Sequence, residues 1–246
     1  MIAVIASFAA FAQSQAPNAF EVASIKPNQL NDHIVTLKIG PGGKFTVRGY
    51  TLQLLIQQAY GVQGFQISGG PAWLDEDRYD VAAKVTMDGN LTEKKLRPLL
   101  QALLAERFHL KVQTGWKEMS GYALGVARGG PKIQPAASGE EHPDTIRMSG
   151  IGFKGDGITP EMLARIVQSV LGFPVVDKTE LKGVYDIKVN WTEQYTRALE
   201  IAVPDSEPAG STIFTALRDQ LGLSLTAQKI SVPILVIEHA EKASEN

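Results

Sequence analysis

The sequence predicts an α+β fold made of two tandem β-α-β-β-α-β-β repeats, in which small mixed sheets pack against paired helices. Arg78-Tyr79-Asp80-Val81 is echoed by Val184-Tyr185-Asp186-Ile187, each time ahead of a helix with a broad apolar face. Those helices run into Arg107-Phe108-His109-Leu110-Lys111-Val112 and Gln220-Leu221-Gly222-Leu223-Ser224-Leu225. One constant offset aligns Leu100 with Ile213, Leu104 with Leu217, Leu110 with Leu223 and Leu124 with Ile237, although it also places Val126 against His239. Apolar positions that recur at helical spacing and again at a fixed long offset indicate a duplicated unit.

In the first repeat, Phe20-Glu21-Val22-Ala23-Ser24-Ile25 alternates as a half-buried strand should. Ile34–Ile39 and Lys44–Val47 flank Gly40-Pro41-Gly42-Gly43 and predict a hairpin. Thr51 is an N-cap for a helix carrying Leu52, Leu55, Ile56 and Ala59, and Gly61 stops it. Phe65–Ser68 and Tyr79–Val85 read as strands around Gly69-Gly70-Pro71. A second helix starts near Thr92, with Pro98 expected in its first turn and Leu96, Leu99, Leu100, Leu103 and Leu104 facing inward. His109–Val112 and Tyr122–Ala127 are expected to form a closing hairpin.

Residues 129–144, rich in Gly, Pro, Ala and Ser, read as a linker. The second repeat opens its helix with Thr159 as cap and Pro160 at the first helical position, then carries Leu163, Ile166, Val167 and Val170 before Gly172. Tyr185–Asn190 is a strand, followed by a loop with Pro204 and Pro208. Ser211 caps a last helix holding Ile213, Phe214 and Leu217, and Leu223–Thr226 with Ile234–Ile237 reads as a final hairpin. The expected organisation is a signal segment at 1–12, a first repeat at 18–128, a linker at 129–147 and a second repeat at 148–242.

The apolar run Ile2–Phe11 followed by the small-x-small pattern Ala10-Phe11-Ala12 is that of a secretory signal cleaved after Ala12. Export to the periplasm or the extracellular space is therefore expected. The run is shorter than the roughly 20 residues a bilayer-spanning helix needs, so the mature chain is expected to have no membrane span. A formal charge of -2 supplies no basic field for phosphates, which argues against nucleic acid as a partner. With no cysteine, the chain has no disulfide, thiolate metal site or thiol nucleophile.

Several segments also carry a resemblance. Phe20-Glu21-Val22-Ala23-Ser24-Ile25-Lys26-Pro27, Gly69-Gly70-Pro71-Ala72-Trp73-Leu74 with Arg78-Tyr79-Asp80, Ala105-Glu106-Arg107-Phe108, Val175-Val176-Asp177-Lys178-Thr179 and Leu221-Gly222-Leu223 together resemble a soil-associated family of exported bacterial proteins, a domain of unknown function. The resemblance covers nearly all of the mature chain and implies no activity. It departs at Glu180, where the family pattern usually has Gly after Asp-Lys-Thr, so the turn there is expected to differ. Ala216-Leu217 to Ile237 is also similar, at the level of fold, to the short N-terminal modules of secretins and TonB-dependent receptors; that likeness implies no function.

Chemical motifs are few. Gly40-Pro41-Gly42-Gly43-Lys44 fails as a phosphate loop because Lys38 replaces the first Gly and Phe45 the magnesium-binding hydroxyl. Asp177-Lys178-Thr179 is expected to be a strand-end turn. Ser68 with His109 or His239 and Asp80 is the nearest approach to a hydrolytic triad, without the sharp Gly-x-Ser-x-Gly turn such a serine needs. His33, His109, His142 and His239 share no ligand spacing, and Glu140-Glu141-His142-Pro143-Asp144 is read as a solvated acidic patch, so no metal and no cofactor are expected. Trp73, Trp116 and Trp191 are expected to be packed or half-buried, because an indole buries a large apolar area.

The best candidate for ligand binding is Trp73 with Asp77, Tyr79 and Asp80, an aromatic–carboxylate grouping of the kind used at glycan sites. Because Asp80 recurs as Asp186, a structural role in a turn or cap competes with that reading. The expected function is an exported, non-enzymatic binding module of the cell envelope whose partner is an envelope protein or an extracellular polymer. A secreted esterase or glycosidase and an extracytoplasmic sensor domain are the alternatives.

Overall fold

The computed structural model describes residues 19–28, 34–87, 89–149, 151–191 and 213–243. The expected signal segment at 1–12, the cap at Ser211, the loop with Pro204 and Pro208, and His33 lie outside the described residues. Among the described residues the chain is a mixed α+β protein with four helices and three four-stranded sheets. It divides into two compact units. Described residues up to Gln113, together with those from Val236 onward, form unit one; Thr114–Leu235 forms unit two.

Unit one contains β1 (Val22–Pro27), β2 (Thr36–Gly40), β3 (Lys44–Thr51), α1 (Leu52–Tyr60), β4 (Ile67–Gly69), β5 (Arg78–Lys84) and α2 (Glu93–Arg107). The antiparallel sheet runs β1-β5-β3-β2. The predicted hairpin is present, with Gly40 opposite Lys44 across a tight turn at Pro41–Gly43. Side chains alternate along β3, so Phe45 and Val47 are buried while Lys44 and Thr46 are exposed. Ile25 and Val81, Leu52, Leu55, Ile56 and Ala59 of α1, and Leu99, Leu100 and Leu104 of α2 are likewise buried. Each large aliphatic side chain withdrawn from water contributes roughly 1.5–3 kcal/mol.

Local signals place the helices. Thr51 Oγ1 accepts from the Leu54 N–H at 3.3 Å, and the left-handed residue Gly61 closes α1. Thr92 caps α2. Pro98 is not in the first turn as expected but within the helix, whose start lies at Glu93. It is tolerated because it is exposed and its lost bond falls to the Lys94 carbonyl near the exposed helix start. Phe65 and Gln66 lie in a 3₁₀ turn rather than in β4, because Gln66 Oε1 accepts from the Gln63 N–H at 3.0 Å and closes the chain there.

Unit two holds most of β6 (Lys111–Val126), then β7 (Gln134–Pro135), β8 (Arg147–Ser149), β9 (Gly152–Ile158), α3 (Pro160–Leu171), β10 (Val175–Asp177), β11 (Tyr185–Asn190), α4 (Ile213–Ala216, continued by a wider turn at Leu217–Leu221) and most of β12 (Leu223–His239). One sheet runs β7-β11-β9-β8; in another, β10 pairs in parallel with β6. The core joins Tyr122 and Leu124 of β6, Leu163 and Val167 of α3, Ile187 and Val189 of β11, and Ile213 and Leu217 of α4. Tyr122 packs edge-on to Phe214, with ring centres 5.2 Å apart.

Three expectations are corrected here. Neither closing segment is a hairpin: Lys111–Val126 and Leu223–His239 are single strands, and they lie side by side. Gly115 does not take the left-handed conformation a tight turn would demand, and the polar stretch between the two apolar ends of β6 is an exposed, still-extended strand. Residues 129–147 are not a free linker: β7 pairs with β11, Ile133 and Ile146 pack on the unit-two core, and the His142 N–H bonds the Gly157 carbonyl at 3.2 Å. The units accordingly divide at Gln113/Thr114 and again at Leu235/Val236. Trp116, expected to pack, is 74% exposed on β6, whereas Trp191 is buried.

Candidate functional site

The four predicted ligand-binding residues lie on one short stretch of unit one. Trp73 sits in a 3₁₀ turn at Ala72–Leu74, and the backbone N–H groups of Glu76 and Asp77 both bond the Trp73 carbonyl, at 3.3 and 3.1 Å. That turn delivers the chain into β5, where Tyr79 and Asp80 point to opposite faces. Tyr79 faces the core and stacks edge-on against Phe108, with ring centres 5.1 Å apart. Burial, and secondarily the charge of Asp77, pushes its phenol above the usual tyrosine range.

Asp80 is committed to the backbone. Its Oδ1 accepts from the Gly49 N–H at 2.9 Å and from Asn28 Nδ2 at 2.7 Å. Arg78, on the same face of β5, donates from Nη1 to the Gly49 carbonyl at 2.8 Å. The two peptide groups that flank Gly49 are therefore both held, at the point where the β3–β5 register slips between Val47 and Tyr50. This is a β-bulge, and it delivers Thr51 to the start of α1. In unit two, Asp186 accepts from the Gly157 N–H at 3.1 Å, also where a ladder slips, two residues before the cap Thr159.

Asp77 and Tyr79 do line a recess. Its volume is about 340 Å³, and its other walls are Pro27, Asn28, Arg78, Lys242 and Ala243. Asp80 is not among the lining residues. Lys242 was not legible as a site residue, because it lies far along the chain from Asp77. Its Nζ is 2.6 Å from Asp77 Oδ2 and 5.8 Å from the centre of the Trp73 ring, so the chain end joins Trp73 to the recess.

In the nearest triad the acid and both candidate bases have other partners. Asp80 is occupied as described, and both imidazoles turn to Glu241: His239 Nε2 lies 2.8 Å from Oε1 and His109 Nδ1 lies 3.3 Å from Oε2. The hydrogen bond from His239, and then the charge of His109, holds the Glu241 carboxyl below its ordinary range. Asp177-Lys178-Thr179 is a turn, in which Asp177 Oδ1 accepts from the Thr179 N–H at 2.9 Å and from its hydroxyl at 2.7 Å. The next residue, Glu180, takes a left-handed φ of 60°. Among the described residues no group of three or more His, Asp or Glu side chains is placed to hold a metal ion, and no helix is long and apolar enough to cross a membrane.

No match was found among the curated proteins or among the solved structures. A family model described as a protein of unknown function, DUF3738, matches residues 53–240, which takes in all of α1 but Leu52, the Trp73 turn, both bulge-binding aspartates and all of β12. The chain belongs to the DUF3738 family.

Proposed function

We propose that the chain is an exported, non-enzymatic binding module of the bacterial cell envelope, built on two copies of one α+β unit, and that its ligand surface is the recess of unit one. The observation that carries this reading is the recess itself. The Asp77 carboxylate, the Tyr79 ring and two cationic side chains, Arg78 and Lys242, line a partly open space of about 340 Å³, and the Trp73 indole lies beside it, 5.8 Å from Lys242 Nζ. Concave sites with a few convergent polar groups and an aromatic wall are suited to holding a peptide or a sugar. The carboxylate a catalytic reading would recruit, Asp80, serves the fold, and the two imidazoles beside the chain end serve Glu241. The partner is an envelope protein or an extracellular polymer.

Duplication is supported by matched local devices. Gly49-Tyr50-Thr51 and Gly157-Ile158-Thr159 each join a bulge, an aspartate-bound glycine and a helix cap. The residues paired by one offset, Leu100 with Ile213 and Leu104 with Leu217, are buried in both places. Export is supported by the Ile2–Ala12 pattern.

A thermal-shift screen of the full chain against envelope proteins, peptides and extracellular polysaccharides tests the role. Stabilisation by one of these classes, lost on Trp73→Ala and Asp77→Ala, is the expected result. A chain that no member stabilises, or whose ligand is indifferent to both substitutions, would sink the proposal.

A further inference from the structure

We propose that the Trp73 ring and the Asp77 carboxylate form a receptor for a lysine side chain of an extended peptide, and that Lys242 occupies it as the protein's own competitor. The inference rests on the reading of unit one as a binding module. A π-face and a carboxylate converging on one ammonium group are the two elements that recognise a primary amine: the ring attracts the charge and the carboxylate accepts its hydrogen bonds. Both act on Lys242 Nζ, at 5.8 Å from the ring centre and 2.6 Å from Oδ2.

The two partners differ in how firmly each is held. Trp73 and Asp77 share one tight turn, tied by the backbone bonds of Glu76 and Asp77 to the Trp73 carbonyl and anchored by the buried Leu74. Lys242 follows the end of β12. The chain there is fastened by the Glu241 N–H to the Phe108 carbonyl at 2.7 Å and by the exposed Glu241–histidine contacts. Trp73 and Asp77 are thus preformed within one turn, whereas the Lys242 side chain, 59% exposed against 35% for Asp77, joins them from outside it as the exchangeable part. Lys242 and Ala243 also form one wall of the recess whose remaining walls are Pro27, Asn28, Asp77, Arg78 and Tyr79. When the tail leaves, the ammonium site and the space beside it open together, and a peptide resembling Lys242-Ala243 fits both. Asn28 and Arg78 border that space.

A tethered competitor acts at an effective concentration in the millimolar range, so removing it strengthens binding without adding a contact. For an exposed ion pair with one cation–π contact, the gain is about 3–10-fold. The test titrates the full chain with N-acetyl-lysyl-alanine amide by calorimetry, with circular dichroism confirming that each variant is folded. Lys242→Ala is expected to bind the peptide about 3–10-fold more tightly than the unaltered chain. Adding Asp77→Asn to that variant is expected to abolish the gain, and the norleucine analogue of the peptide is expected not to bind. Equal affinity with and without Lys242, or equal binding of the norleucine peptide, overturns the inference. The same variant is also titrated with neutral and acidic oligosaccharides and an acidic peptide. Binding of one of these without the lysyl peptide overturns the lysine receptor and leaves the binding role standing; binding of nothing overturns both.

Discussion

The Asp80 carboxylate accepts a hydrogen bond from the backbone N–H of Gly49 at 2.9 Å, and this contact spans the bulge that sends β3 into α1. Arg78 holds the carbonyl of the same glycine, so two alternate residues of β5 fix the peptides on either side of Gly49 in β3. Asp186 makes the corresponding bond to Gly157 in unit two, from a more exposed position. One of the two candidate ligand-binding acids thus sets the backbone on which the first helix starts.

Replacing Asp80 leaves the buried Gly49 N–H without its acceptor, a loss of about 1–3 kcal/mol. Asp80→Ala is expected near the upper part of that range. Asp186→Ala is expected to cost less, about 1 kcal/mol, because Asp186 is exposed and water can enter beside the buried Gly157 N–H once the carboxylate is removed. Urea unfolding midpoints of the two variants check the order, and a larger loss for Asp186→Ala would contradict it.

At Gly49 and Gly157 the backbone is left-handed, with φ of +67° and +66°. A Cβ would also fall 2.5 Å from the Ile34 carbonyl oxygen at the first and 2.3 Å from that of Glu140 at the second. Backbone atoms cannot swing aside as a side chain can. Gly49→Ala and Gly157→Ala are each expected to cost more than about 2 kcal/mol, beyond the roughly 1–2 kcal/mol of a left-handed φ alone. Thermal unfolding is the measurement, and an unchanged Tm would refute the clash.

Glu180 takes φ of 60° at an exposed position, where the side chain has nothing to pack against. The left-handed conformation costs a non-glycine residue roughly 1–2 kcal/mol, and glycine returns about half of that gain through its freer unfolded chain. Glu180→Gly is therefore expected to raise stability by about 0.5–1 kcal/mol, read as a higher urea midpoint.

The histidines beside Glu241 give a pH signature. A carboxyl held below its ordinary value favours the folded chain above the ordinary glutamate pKa of 4.5 and loses that contribution as pH falls through the lowered folded value. The Glu241 carboxyl carbon, followed by NMR, is expected to titrate below 4.5 in the intact protein and to move upward in His239→Ala, with a smaller move in His109→Ala. Identical titration curves in all three would remove both imidazoles as the cause.

Local chemistry was readable directly from the chain. Thr51, Thr159 and Pro160, Gly61 and Gly172 start and stop helices through hydrogen bonds and φ values reaching only a few residues, so their types alone located α1 and α3. The leucine face of α2 and the Pro41–Gly43 turn were legible for the same reason. The nature of the protein as α+β and its family membership were legible too. The helix-like and strand-like periods of the apolar residues are a property of the sequence.

Which core a strand joins was decided by tertiary structure. The apolar ends of β6 and β12 looked like separate short strands folding back on themselves; instead Leu124 enters the core of unit two, and Ile237 lies in unit one against Gly69. Alternation specifies which face of a strand is buried but not what covers it. The recess was likewise half visible. Trp73, Asp77 and Tyr79 are neighbours in sequence, whereas Lys242 reaches them only because β12 returns to unit one. Contacts between residues so far apart carry no periodic trace in the chain, since they depend on where folded elements come to rest.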